Sequence, residues 1–274
     1  MKNDAIYLFT RLVETAVAVF SILAFIILFF FPDYTGQLFS WAVKPHMSSL
    51  YIGAAYLGGA WLQAKTVFGK RWHRVHVALL PMSVFTILML TATLLHWDRF
   101  SLGTPVFKTW LIFYIIAPIL IPAVWMTNKQ TNSGAPEDSD VVVSPVARTV
   151  TRLFATVMLV FVTAGFLYPE FFIRIWPWAL TPLTARVMAS WLSVIGLGAW
   201  MMSTDPRWTS WRVFLESIFV GYGLVLAAAA MNSTDFTTSV INWFTIFITI
   251  MLSAIAVFYI NMETHRRKNQ RVAG

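Results

Sequence analysis

Long apolar runs, separated by short polar, basic or aromatic segments, set the pattern of this chain. Eight such runs stand at about 9–31, 48–68, 77–95, 106–127, 150–168, 185–202, 213–231 and 240–262. Each is close to the ~20 residues a helix needs to cross the hydrocarbon core of a bilayer. Backbone N–H and C=O groups in lipid have no water to bond, so runs of this length predict transmembrane α-helices.

The runs fall into two sets of four. Pro32, Asp33, Trp41, Pro45 and Gly59 are followed 137 residues later by Pro169, Glu170, Trp178, Pro182 and Gly196, and Arg71, Trp72 and Phe100 are followed after 136 by Arg207, Trp208 and Phe236. This reads as a tandem duplication, with a first four-helix repeat over 1–128 and a second over 148–274. The last spans align through Trp110 with Trp243 and Asn128 with Asn261. Between the copies, 129–147 contains TNSGAPEDSD and reads as a polar, flexible cytoplasmic linker. Four crossings per copy give both copies the same orientation, related by a pseudo-two-fold axis along the membrane normal. The expected fold class is an all-α membrane protein: eight transmembrane helices as two parallel-oriented four-helix repeats, with short interfacial outer segments.

Those outer segments are FPDYTGQLFSWAVKPHMSS and YPEFFIRIWPWALTPLTAR. Each runs from a Pro-acid pair through an aromatic stretch too short to cross, into a proline that opens the next span, and is expected to lie on the outer surface. Thr181 is the expected N-cap before Pro182; Lys44 occupies that place in the first copy and cannot serve.

Composition agrees with the pattern, at 58% hydrophobic and 12% charged residues, against about 25% charged in soluble domains. Thirteen Trp and eight Tyr concentrate near the predicted helix ends, where they are expected to anchor at the headgroups. The absence of cysteine excludes disulfides, thiolate chemistry and cysteine-ligated metals. A net charge of +8 reports orientation rather than nucleic-acid binding: with the N-terminus inside, Lys44, Arg99, Lys108, Arg174 and Arg186 fall outside and 15 of the 20 Lys/Arg fall inside. Both termini are therefore placed in the cytoplasm and the chain in the cytoplasmic membrane. The basic run His265-Arg266-Arg267-Lys268 is the expected contact for anionic lipid. The first run carries Arg11 and Glu14 and reaches Pro32-Asp33 without a small-x-small cleavage site, so it is expected to be retained.

Candidate chemistry is sparse. Gly53, Gly58 and Gly59 in the second span, with Ser190, Ser193 and Gly196 in the sixth, allow close helix approach or line a pore, and these two helices are placed inside the bundle, facing each other. Pro118 and Pro122 are expected to kink the fourth span. Glu14 and Glu216 are the intramembrane acids, near Arg11 and Arg212, so each is either paired within its helix or a proton or cation site. His46 and His96 sit at the outer ends of consecutive spans, and with Asp98 and Asp33 form the best candidate cluster, for a haem or divalent metal, although the second copy has Leu183 and Asn232 at the histidine positions. His73 and His76 belong to the basic inner loop and read as topology-determining or lipid-contacting. No phosphate loop, HExxH helix, nucleophile elbow or dinucleotide fingerprint occurs.

The loops WPWALTPLTAR and FSWAVKPHMSS, with HWDRF at the end of the third span, resemble a family of bacterial multi-pass membrane proteins with duplicated four-helix halves. The resemblance implies a bacterial cytoplasmic membrane and assigns no activity, cofactor or site. The expected role is a non-catalytic scaffold, accessory or sensor module that presents its outer loops to a protein partner or lipid. The alternative is a channel or facilitator for a small neutral or lipid-like solute, and a third is a haem- or metal-dependent membrane enzyme.

Overall fold

The computed structural model describes residues 3–237 and 239–273. Among them the chain folds into α1 (Leu8–Phe30), α2 (Thr35–Leu38), α3 (His46–Phe68), α4 (His76–Leu95), α5 (Pro105–Asn128), α6 (Pro145–Leu167), α7 (Pro169–Ile175), α8 (Pro182–Thr204), α9 (Trp208–Met231) and α10 (Trp243–Ala273), joined by loops and 3₁₀ turns. Seven of these, all but α2, α3 and α7, are long and apolar enough to cross a membrane. α3 has the 23 residues of α1, but its Gly, Ser, Tyr, Gln and Lys side chains dilute its apolar character. It can carry them because most of its residues are buried against protein.

Sequence explains where several helices start. The hydroxyls of Thr104, Ser144 and Thr181 accept the backbone N–H of Phe107, Ala147 and Thr184, each at 3.2 Å, and a proline follows each cap. α3 begins after Pro45 with no side-chain cap. α5 runs as one continuous helix through Pro118 and Pro122.

The packing order differs from the chain order. α1 lies along α3 and α6 along α8; α3 then packs along α9, α8 along α4, α5 against α4 and α10 against α9. The second long helix of each half thus leans on the third long helix of the other half, and the halves interlock rather than standing side by side. α3 and α8 meet each other only marginally, which corrects the expectation that the two small-residue helices face one another. Gly58 instead faces α9, where an added Cβ would come within 3.0 Å of the Ser217 carbonyl oxygen and 3.4 Å of Gly221 Cα. Gly53 packs on Leu28 and Phe29 of α1, Gly59 on Met82 of α4, and Gly196 on Leu159 of α6. The outer helices α1, α5, α6 and α10 leave large apolar side chains uncovered, among them Leu23, Ile119, Val157 and Ile250.

Hydrogen bonds between loops define two faces. The face bearing both termini also carries the α3–α4 and α8–α9 connections and the 129–147 segment. At the opposite face, Phe39–Val43 and Trp176–Leu180 turn inward instead of lying flat on the bundle as expected. Trp41 and Trp178 are buried and meet Phe100 and Phe236 edge-to-face at 5.2 and 5.5 Å. Trp178 Nε1 donates to Ser48 Oγ at 2.9 Å. Trp72, Trp110 and Trp208 are buried as well, so a large share of the tryptophans fill the interior, while Trp97 and Trp243 stay at the surface. The alignment of Trp110 with Trp243 therefore matches a buried ring with a half-exposed one; Phe244, one residue on, takes the buried place.

Candidate functional site

The outer cluster divides. His46 Nε2 and Asp33 Oδ1 lie 2.8 Å apart, both solvent-exposed, and exposed Asp98 pairs with its neighbour Arg99 at 3.2 Å. His96 Nε2 accepts from Arg186 Nη1 at 2.7 Å. The cause is the helix order: α4 packs on α8, so its end delivers His96 to Arg186 of α8 rather than to His46 of α3. Burial and the Arg186 charge hold the His96 imidazole below its usual pKa, consistent with a neutral ring accepting that bond. Among the described residues no group of three or more His, Asp or Glu side chains is arranged to hold a metal.

The two acids within the long apolar helices, Glu14 and Glu216, have opposite surroundings. Glu216 accepts from Arg212 Nε at 3.0 Å, Tyr259 Oη at 2.8 Å and Trp61 Nε1 at 3.2 Å, and Lys65 Nζ lies 3.2 Å away, so it ties α3, α9 and α10 together. Glu14 is buried and has no hydrogen-bond or ion-pair partner among the described residues. Arg11, its expected partner one turn earlier, donates instead to the carbonyls of Val67 and Gly69 at the open end of α3.

Glu14 lines a cavity of about 30 Å³ between α1, α3, α4 and α5, together with Ser21, Gln63, Thr66, Thr86 and the hydrogen-bonded Tyr56–Tyr114 pair (2.8 Å). Gln63 is buried, and its Oε1 has no partner among the described residues; the same holds for Nε1 of Trp191, which closes one wall. A second cavity, of about 400 Å³, lies between α6, α8, α9 and α10, with Thr151, Phe154, Ala199, Ile218 and Phe247 in an almost wholly apolar wall. Neither is lined by Ser190 or Ser193, whose hydroxyls donate within α8 to Arg186 and Ser190 carbonyls at 2.8 and 2.7 Å.

The largest polar assembly sits on the termini face and escaped the sequence reading. Asp4 accepts the backbone N–H of His73 at 3.0 Å and bonds its Nδ1; His73 Nε2 lies 3.0 Å from Thr209 Oγ1 and 3.2 Å from Glu137 Oε1. Thr209 Oγ1 donates to Asp140 at 2.6 Å, so toward His73 Nε2 it is the acceptor. Arg74 grips Glu137 through two bonds of 2.6 and 2.5 Å, and Arg207 grips Asp205 through two of 2.9 and 2.6 Å while reaching Asn132 at 3.2 Å. The 129–147 segment, expected to run free, is fastened by these bonds and by Val143 N–H to the Pro206 carbonyl at 2.7 Å. Burial alone would raise the carboxyls of Asp4, Glu137 and Asp205, but bonds and charges from His73, Arg74 and Arg207 outweigh it and hold all three below their usual values. One signal was available in the sequence: Asp4 and Asp140, like His73 and Thr209, are 136 residues apart.

Compared with known protein families, curated proteins and solved structures, the chain matches none.

Proposed function

We propose that this chain is a non-conducting scaffold, accessory or sensor module of the cytoplasmic membrane, with eight crossings, both termini in the cytoplasm and two parallel-oriented repeats. α3 is the eighth span, its polar content sheltered by its neighbours. Contacts recurring at the duplicated positions support the repeats. Asp4 bonds the backbone N–H and side chain of His73, and Asp140 those of Thr209, while His73 and Thr209 touch each other on the pseudo-axis. Trp41–Phe100 and Trp178–Phe236 repeat one edge-to-face pair. The two cavities also correspond: Glu14, Leu62, Met82 and Phe113 line one, and Thr151, Ala199, Ile218 and Phe247, between 134 and 137 positions later, line the other.

The observation that carries the scaffold reading is the tightly packed centre, where a void of only about 50 Å³ remains between α3, α4, α8 and α9. Gly58 and Gly221 bring α3 and α9 together, buried tryptophans fill one end, and the His73 junction fills the other. Lipid is the expected partner: Arg266 is held by Glu263, and Arg267, although 3.6 Å from the same carboxylate, stays exposed and with Lys268 is offered to anionic headgroups. Exposed Tyr34 and Tyr168 in the outer segments are left for a protein partner. Liposomes containing the purified chain should pass glycerol no faster than protein-free liposomes. One observation favours the facilitator reading, the apolar cavity of about 400 Å³; accelerated glycerol entry, or transbilayer movement of a fluorescent lipid above the protein-free rate, would replace the scaffold reading with it.

A further inference from the structure

We infer that the cavity around Glu14 is a binding site for one small monovalent cation, held by the Glu14 carboxylate and the Gln63 side-chain carbonyl. Three observations carry this. An ionised carboxylate taken out of water is strongly disfavoured without a compensating charge, and Glu14 is only 5% exposed. The charge does not come from the protein: Arg11 is committed to the end of α3, and Lys65, the other cation on the packed helices near this depth, is committed to Glu216. The cavity has room for a small occupant, since its volume of about 30 Å³ exceeds the roughly 10–15 Å³ needed to hold one water-sized particle.

The acceptors suit such an occupant. Gln63 is 2% exposed with its Oε1 unpartnered among the described residues, and Ser21, Thr66 and the tyrosine hydroxyls line the same space. Hard oxygen donors of this kind take an alkali cation, and a proton carried on the carboxyl satisfies the same charge balance. The shared chemistry is a single positive charge neutralising Glu14. The equivalent place in the second half has Thr151, with Trp200 at the position corresponding to Gln63, so the site is not repeated there. This assignment does not depend on the scaffold reading, because an ion-binding cavity between α1, α3, α4 and α5 is compatible with a conducting or a non-conducting bundle.

The test uses the full chain purified in detergent, with Glu14→Gln and Gln63→Leu variants. Sodium alone is the probe in one arm: radioactive Na⁺ binding should approach one ion per chain, vanish in Glu14→Gln, and weaken about tenfold in Gln63→Leu, as expected for losing one bond to a charged group. In the other arm, infrared spectra in sodium-free buffer near neutral pH should show the carbonyl stretch of a protonated carboxyl that disappears in Glu14→Gln and shifts in Gln63→Leu. Signal in the first arm assigns Na⁺, and signal in the second alone assigns the proton. Gln63→Leu keeps the acid, so it remains informative if Glu14→Gln does not fold. An ionised carboxylate with no sodium bound would overturn the site.

Discussion

His73 shows how much of this protein's polar energy is gathered at single residues. Its ring is buried and bonded on both nitrogens, to Asp4 on one side and to Thr209 and Glu137 on the other. Substitution by alanine leaves buried acceptors without a donor, at a cost of about 1–3 kcal/mol. Thermal unfolding of the purified His73→Ala chain should show this loss, whereas His265→Ala, on the exposed surface of α10, should leave the midpoint unchanged. The junction also sets a pH dependence. Asp4, Glu137 and Asp205 have carboxyls held below the ordinary 3.8 for Asp and 4.5 for Glu, so the folded state binds their protons less readily than the unfolded chain. Their contribution is complete above the ordinary values and is lost as the pH falls through the lowered ones. Unfolding midpoints should therefore drop as the pH descends below about 4.5. Proteolysis within 132–136 should accelerate over the same interval, as the 129–147 segment loses its fastenings.

Between helices, space decides more than charge. A Cβ on Gly198 would overlap the Phe214 ring of α9, while one on Gly223 meets nothing within 4 Å. Gly198→Ala should thus destabilise by about 1–3 kcal/mol through overpacking. Gly223→Ala in the same assay should be neutral or slightly stabilising, because alanine is the better helix former by about 1 kcal/mol. Hydropathy and caps made most long helices legible in the sequence: Thr181 was identifiable as a cap, and the edges of the apolar runs fall within a few residues of the observed helix ends, except where α6, α9 and α10 extend further toward the termini face. Which helix touches which was not legible. The rule that consecutive spans are neighbours placed His46 beside His96, and the interlocked order separates them. The buried ends of the outer segments were hidden for a related reason. Phe39, Trp41, Trp176 and Trp178 have the composition of an interfacial belt, and only the cross-bundle contacts reveal them as filling.

Over the whole molecule, the proposed duplication and the recurrent contacts describe one arrangement, and the differences between the proposed halves locate the candidate chemistry. For Glu216, left open in the sequence between helical pairing and an ion site, Arg212 lies at helical spacing and the two pair at 3.0 Å. Glu14 was given the same reading from Arg11, and there local spacing failed, because the guanidinium is drawn to the unsatisfied carbonyls at the end of α3. Eight crossings with both termini on one side is the premise for every assignment of a residue to a face. The chain has no cysteine, so single-cysteine labelling of intact cells tests that premise without background. Cysteines at the exposed positions Gln37 and Ser239 should react with a membrane-impermeant maleimide from outside, and those at Ser133 and Gln270 only after permeabilisation. Outside labelling of Ser133→Cys would mean an odd number of crossings in the first half or an inverted chain, and either would contradict the arrangement.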